Sequence, residues 1–330
     1  MSYTPAAEIP PPWERPTEAT APPEFSPPPP PRRPRRWLPL SLFLATCFCA
    51  FLAQGGLIYF DLLYQELFAI NPEPIPPEWF THFFWRGITY AAALMTILVF
   101  HEMGHWLQMR RYKIQGSLPY FIPCPFPPFG TFGAVIAMRS GQGNIREIFD
   151  VGISGPLAGL VPTFGFCLYG VLTAEPTPIA EANELCNPPL LLQWFETFRA
   201  TPVPSDCTLY DLWFISPYLF AGWFVLLLTA INLAPIGQLD GGHIFYGLLR
   251  GKSKYFSKLL LLSAVALVVV DWETYYMWAV LLGLIIVMGA EHPRTRDDTV
   301  PLGRFRVVLG IATLLLLIVI FSPQPFWWRS

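Results

Sequence analysis

Six stretches of this chain are apolar over lengths that approach or exceed the roughly 20 residues a helix needs to cross the hydrocarbon core of a bilayer. They run over 38–60, 86–109, 150–172, 211–234, 257–290 and 302–322. A segment in lipid must satisfy its own backbone, so each run reads as a membrane helix. Only 13% of the residues are charged, against about a quarter in a soluble domain, which again points to lipid as the solvent. The 257–290 run is too long for one pass and is interrupted by Asp271-Trp272-Glu273. Uncompensated carboxylates are costly in a bilayer, so this run reads as two short spans joined by a tight turn rather than one tilted helix. The expected fold class is an all-α polytopic membrane protein with about seven transmembrane helices.

The placement of charge sets the expected topology. Arg32, Arg33, Arg35 and Arg36 precede the first span, which puts the N-terminus in the cytoplasm. Threading seven spans from there leaves the basic clusters at 110–113, 139–146, 250–258 and 294–306 inside and the C-terminus outside; only Arg86, Arg199 and Arg329 fall outside. The setting expected from this pattern is a bacterial cytoplasmic membrane. A formal net charge of −2 offers no basic surface, which excludes nucleic acid as a partner. Cys186 and Cys207 both fall in the expected extracytoplasmic loop, where a disulfide and two separate thiols are both open.

Residues 1–36 are proline-rich with no periodic apolar pattern, so they are expected to be a disordered cytoplasmic tail. The Pro27-to-Pro31 run suits a polyproline-reading domain, although a solvated spacer is the preferred reading. The first apolar run begins only after Arg36, too late for a signal peptide. Between the second and third spans, 117–138 is rich in Pro, Gly and aromatic residues. This excludes a continuous helix and suggests a β-hairpin or re-entrant loop on the cytoplasmic side of the membrane, with a polar cavity nearby. The third span opens with the small-residue run 152–159, where Gly155 and Gly159 would let another helix approach closely; lining a catalytic cavity is the secondary reading.

The chemistry is concentrated at the end of the second span, in His101-Glu102-Met103-Gly104-His105. Residues four apart share a helix face, so both imidazoles can reach one ion at about 2.0–2.1 Å. Glu102, rotated about 100° from His101, stays out of the ligand set but close enough to take a proton from an activated water. Zinc suits two imidazoles and a carboxylate with a fourth position left open. Ionisable groups inside an apolar span are expensive and functional by default. A third ligand must come from elsewhere, and the fourth span ends in Asn232-Leu233-Ala234-Pro235-Ile236-Gly237-Gln238-Leu239-Asp240-Gly241-Gly242-His243. Asp240 leads because the helix-breaking bend would aim it inward, and His243 is second.

Together these motifs resemble the site-2 protease family of intramembrane zinc metalloproteases, of the peptidase M50 type. Gly152-to-Gly159 and Gly130-Thr131-Phe132-Gly133 look like further family features, and the match covers about 86–250. The resemblance implies zinc bound by His101, His105 and Asp240, Glu102 as general base, and Asn232 holding the substrate carbonyl or oxyanion. It also implies a membrane-protein substrate with a transmembrane helix. No stretch is large enough for an inserted PDZ domain, so the chain looks closest to the compact branch of photosynthetic bacteria and chloroplasts. The expected organisation is a tail at 1–36, a first transmembrane helix and extracytoplasmic loop at 37–85, a catalytic core at 86–250, and C-terminal transmembrane helices at 251–330. Two other functions compete: a metal-ion transporter, which has no need of Glu102 beside the ligand pair, and a non-catalytic scaffold that binds membrane helices.

Overall fold

A computed structural model describes residues 37–56, 77–126, 128–138, 141–180, 184–212, 215–272 and 292–328, with Tyr275, Trp278 and Gly283 between the last two segments. The expected tail at 1–36 lies outside the described residues, as does most of the second half of the 257–290 run.

The first helix, α1 (Trp37–Phe51), continues through one π-helical turn to Gly56. Helix α2 (Pro77–Arg111) begins well before Arg86, because Pro77 and Glu78 make a favourable first turn. Its 35 residues extend about 52 Å, beyond a hydrocarbon core of about 30 Å. Lipid tails are as apolar as leucine, so helices associate here through close packing rather than through the hydrophobic effect. Gly87 permits it: a methyl group there would come within 2.7 Å of the Phe51 carbonyl oxygen on α1.

Strands β1 (Tyr120–Pro123) and β2 (Thr131–Val135) pair antiparallel. At the base of the pair, a methyl on Gly116 would overlap the Met109 side chain. At the tip, the Tyr90 hydroxyl donates to the Phe129 carbonyl at 2.8 Å, and Gln54 Nε2 donates to the Pro128 carbonyl at 3.1 Å. Met109 and Tyr90 are separated on α2 by about 28 Å of helix rise, so this segment runs along most of α2. The reason lies at the tip, where Phe129 stacks on Phe224 at 4.3 Å and Arg86 holds Gln54 Oε1 at 3.0 Å.

Helix α3 (Ile145–Thr173) starts at a capping box formed by Asn144 and Glu147. At its other end Arg199 donates to the Val171 and Ala174 carbonyls, satisfying acceptors the helix leaves open. The following loop holds β3 (Thr177–Pro178), β4 (Glu184–Cys186), the short helix α4 (Leu190–Glu196) and β5 (Cys207–Thr208). Helix α5 (Pro217–Asn232) is buried on nearly every side, with Trp223, Phe220, Leu219 and Leu226 almost fully enclosed. Next come α6 (Asp240–Leu249), a 3-10 turn, and α7 (Ser253–Val270). Helix α7 stops at Val270, and Asp271 leaves the helical conformation with φ −135° and ψ 74°, at the interruption the sequence marks. Helix α8 (Arg304–Ile320) and strand β6 (Phe326–Trp328) end the described chain.

Among the described residues, four helices are long and apolar enough to cross a membrane: 37–56, 78–111, 145–173 and 240–270. Helices α5 and α8 are shorter, at 16 and 17 residues. The molecule is mostly helical but not purely so. Strand pairs β1–β2, β3–β5 and β4–β6 form three small sheets, because the loops between helices carry backbone groups that need partners. The β4–β6 pair joins the chain's last described residues to the loop after α3.

Candidate metal centre

His101 and His105 lie one turn apart on α2, and both are buried. They fit only because α3 crosses them with small residues. A methyl on Gly155 would overlap His105 Nε2, and one on Gly159 would press on His101 Cβ at 3.0 Å. In return, a methyl on Gly104 of α2 would overlap the Ser154 carbonyl of α3. Close helix packing and lining the site are thus one role for the 152–159 run, where the sequence offered them as alternatives.

His105 Nδ1 lies 2.8 Å from the Val151 carbonyl oxygen. A carbonyl only accepts, so Nδ1 carries the hydrogen, and the neutral ring presents its Nε2 lone pair. That lone pair points at a cluster. His105 Nε2 is 3.2 Å from His101 Nε2 and 3.3 Å from Asp240 Oδ1, while His101 Nε2 is 3.3 Å from Asp240 Oδ2.

Asp240 arrives from the far side of the sequence as the first residue of α6. The turn that delivers it is tight: methyls on Gly241 and Gly242 would overlap the carbonyls of Leu233 and Gly237. Gly237 itself has a φ of 55°, in the left-handed region that glycine adopts without strain.

The ligand atoms of His101, His105 and Asp240 could together hold a metal ion. Ligands about 2.0–2.1 Å from a tetrahedral zinc stand about 3.3–3.4 Å apart; the two Nε2 atoms are 3.2 Å apart, and each is 3.3 Å from a different oxygen of Asp240. The donor chemistry agrees. A neutral His105 with its hydrogen on Nδ1 turns a lone pair toward a carboxylate oxygen, a repulsive contact that a cation between them makes attractive. The residues present therefore fit zinc.

Glu102 is buried beside the pair, 7% exposed. His243, the second candidate ligand, is engaged elsewhere: its Nδ1 lies 2.6 Å from His292 Nε2. Asn232 is the last residue of α5 and half-buried.

Several surrounding contacts escape sequence reasoning. The Val151 carbonyl is backbone and leaves no trace in residue identity. Asp150 receives Arg306 at 2.6 and 2.7 Å and also the Tyr112 hydroxyl. His292 is one of only five histidines in the chain, and that scarcity was the signal available for it.

The sequence model described as "Peptidase family M50" matches residues 89–270. The chain is 30% identical over 247 residues to "Probable zinc metalloprotease EGY1, chloroplastic" of Oryza sativa subsp. japonica, covering 73% of this chain and 41% of that protein. Its Arabidopsis thaliana counterpart of the same name is 30% identical over 263 residues, covering 77% and 46%. "Probable zinc metalloprotease EGY2, chloroplastic" of Arabidopsis thaliana is 27% identical over 244 residues, covering 71% and 42%. The chain thus spans less than half the length of these relatives. Their chloroplastic names lend no support to the expected bacterial setting. No solved structure matches.

Proposed function

The chain belongs to peptidase family M50, and from that premise we propose that it is a zinc-dependent intramembrane endopeptidase. It hydrolyses peptide bonds in or near the transmembrane segments of membrane proteins. The observation that carries this reading is the convergence of His101 Nε2, His105 Nε2 and the Asp240 carboxylate, with the two nitrogens 3.2 Å apart and each 3.3 Å from one carboxylate oxygen. When bound, zinc supplies Lewis-acid activation of water and of the scissile carbonyl. Glu102 takes the proton from water and returns it to the leaving amine. Asn232 holds the substrate carbonyl, and Val151 holds His105 in the tautomer that ligates.

A helical substrate hides its peptide bonds in its own hydrogen bonds and must be opened before cleavage. Strand β2 supplies an edge for that. Helix α1 covers the β1 side, where Phe43 meets Phe121 at 5.3 Å, while Phe132 and Val135 of β2 are 68% and 53% exposed. An extended substrate pairs there by strand addition. In this proposal the bilayer surrounds seven spans, with the N-terminus and metal centre toward the cytoplasm and the C-terminus outside. The catalytic core at 86–250 is flanked by the first helix with its loop at 37–85 and by the C-terminal helices at 251–330.

Glu102→Gln tests the reading. The purified variant should keep its zinc and lose cleavage of a reporter transmembrane helix. Cleavage retained at the wild-type rate overturns the protease assignment.

A further inference from the structure

The metal centre depends on three helices that meet at Val151 and Gly152. Helix α2 brings His101 and His105, α3 offers the Val151 carbonyl, and α6 brings Asp240. Gly152 is the seat of α6, since a methyl there would stand 2.6 Å from His243 Cβ and 3.3 Å from the Asp240 carbonyl oxygen. A ligand triangle split between remote helices holds its shape only if something fixes those helices relative to one another.

One segment touches α6 and α3 directly and reaches the residue after α2 through Asp150. On α6, His292 Nε2 shares a hydrogen bond with His243 Nδ1 at 2.6 Å, and its ring stacks on Tyr246 at 4.3 Å. The Tyr246 hydroxyl donates to Asp298 Oδ2 at 2.8 Å. On α3, the Ile145 amide donates to the Asp297 carbonyl at 3.1 Å, and Arg306 grips the Asp150 carboxylate with two nitrogens. Asp150 also takes the hydroxyl of Tyr112, the residue that follows α2. Asp150 is the immediate neighbour of Val151, and His243 follows Asp240 by three residues. These braces therefore act one residue or one helical turn from groups of the candidate metal site.

We infer that residues 292–306 form a brace that sets Asp240 against His101 and His105, with His292 and Arg306 as positioning residues for the metal. The brace lies beyond residue 270, where the match to the family model ends. The inference rests on the metal-site reading above. Partners that orient ligands commonly contribute about tenfold or more to metal affinity, because a ligand that must first be pulled into place binds more weakly.

The test is zinc affinity of the full-length protein in detergent, measured by competition with a chromophoric chelator. His292→Ala should weaken zinc binding about tenfold, and His292→Gln, which keeps a hydrogen-bonding group near His243, should recover most of it. Because His292 acts through His243, adding His292→Ala to His243→Ala should change affinity by less than about twofold. Affinity of His292→Ala within twofold of wild type, or full additivity with His243→Ala, overturns the brace. If alanine at 292 prevents folding, Tyr246→Phe deletes only the hydroxyl that holds Asp298; a severalfold loss of affinity supports the brace and none overturns it. Wild-type protein that takes up no zinc fails the metal-site reading instead, which separates the two.

Discussion

His105 Nδ1 sits 2.8 Å from the carbonyl oxygen of Val151, a residue 46 positions later in the chain. That contact fixes which imidazole nitrogen keeps its hydrogen, and so turns Nε2 toward His101 and Asp240. Backbone carbonyls are constant along a helix, so this orientation survives side-chain change at 151 but not displacement of α3.

Asp240 and His243 should separate cleanly in their effect on metal. Asp240→Ala removes one of the three proposed ligands, and zinc content should fall to below about a tenth of wild type. His243→Ala should leave the protein zinc-loaded under saturating metal. Chelation should lower wild-type stability by about 2.7 kcal/mol when free zinc had stood at 100 times its dissociation constant, with little change in Asp240→Ala. Metal analysis and thermal unfolding with and without chelator check these outcomes; zinc lost from His243→Ala and retained by Asp240→Ala would reverse the ligand assignment.

Two glycines on α3 make a controlled comparison. At Gly155 a methyl overlaps His105 Nε2, whereas at Gly165 nothing lies within 4 Å. Gly155→Ala should cut reporter cleavage and zinc affinity at least about tenfold, as expected when a ligand is displaced. Gly165→Ala should leave both within about twofold, since alanine is the better helix former. Equal behaviour of the two variants would mean that α3 does not seat the metal ligands.

The tip of the strand pair is held by polar contacts of unequal weight. Tyr90→Phe deletes one hydrogen bond to the Phe129 carbonyl and should cost about 0.5–1.5 kcal/mol. Gln54→Leu leaves the buried Arg86 guanidinium without its Gln54 acceptor and should cost more, toward about 3–5 kcal/mol. Denaturant unfolding in mixed micelles would rank them; a larger loss from Tyr90→Phe contradicts this account of the anchor.

The exposed edge of β2 can be blocked without touching the metal. Proline removes a backbone donor and stops strand pairing where that donor faces outward. Single prolines along 132–138 should lower cleavage of a helical reporter while zinc content stays at one per chain. Cleavage unchanged at every position would remove substrate pairing from the mechanism.

Much of the site was legible because its chemistry resides in side chains at fixed spacing. His101 and His105 share a helix face whatever the fold, and Glu102 in an apolar helix is too costly to be incidental. Asp240 was legible because Pro235 and the glycines around it break the helix where a carboxylate follows. The strand pair was legible in composition but not in reach, because the contacts of Gln54 and Tyr90 with its tip join residues up to 74 positions apart. The start of α2 at Pro77 was missed because the segment before Arg86 lacks the apolar run used to find spans.

The sequence by itself determined that the chain is built of apolar helices, that one of them carries two histidines spaced to share an ion, and that a carboxylate more than a hundred residues away is available to join them. Periodicity and composition suffice for that, since they act within one segment. Only the tertiary structure decided that Asp240 rather than His243 faces the pair, that the Val151 carbonyl meets His105, and that residues 292–306 contact both α3 and α6. Those outcomes depend on interhelical distances held to within a few tenths of an ångström, set by where glycines let backbones meet, and no local pattern encodes such a distance.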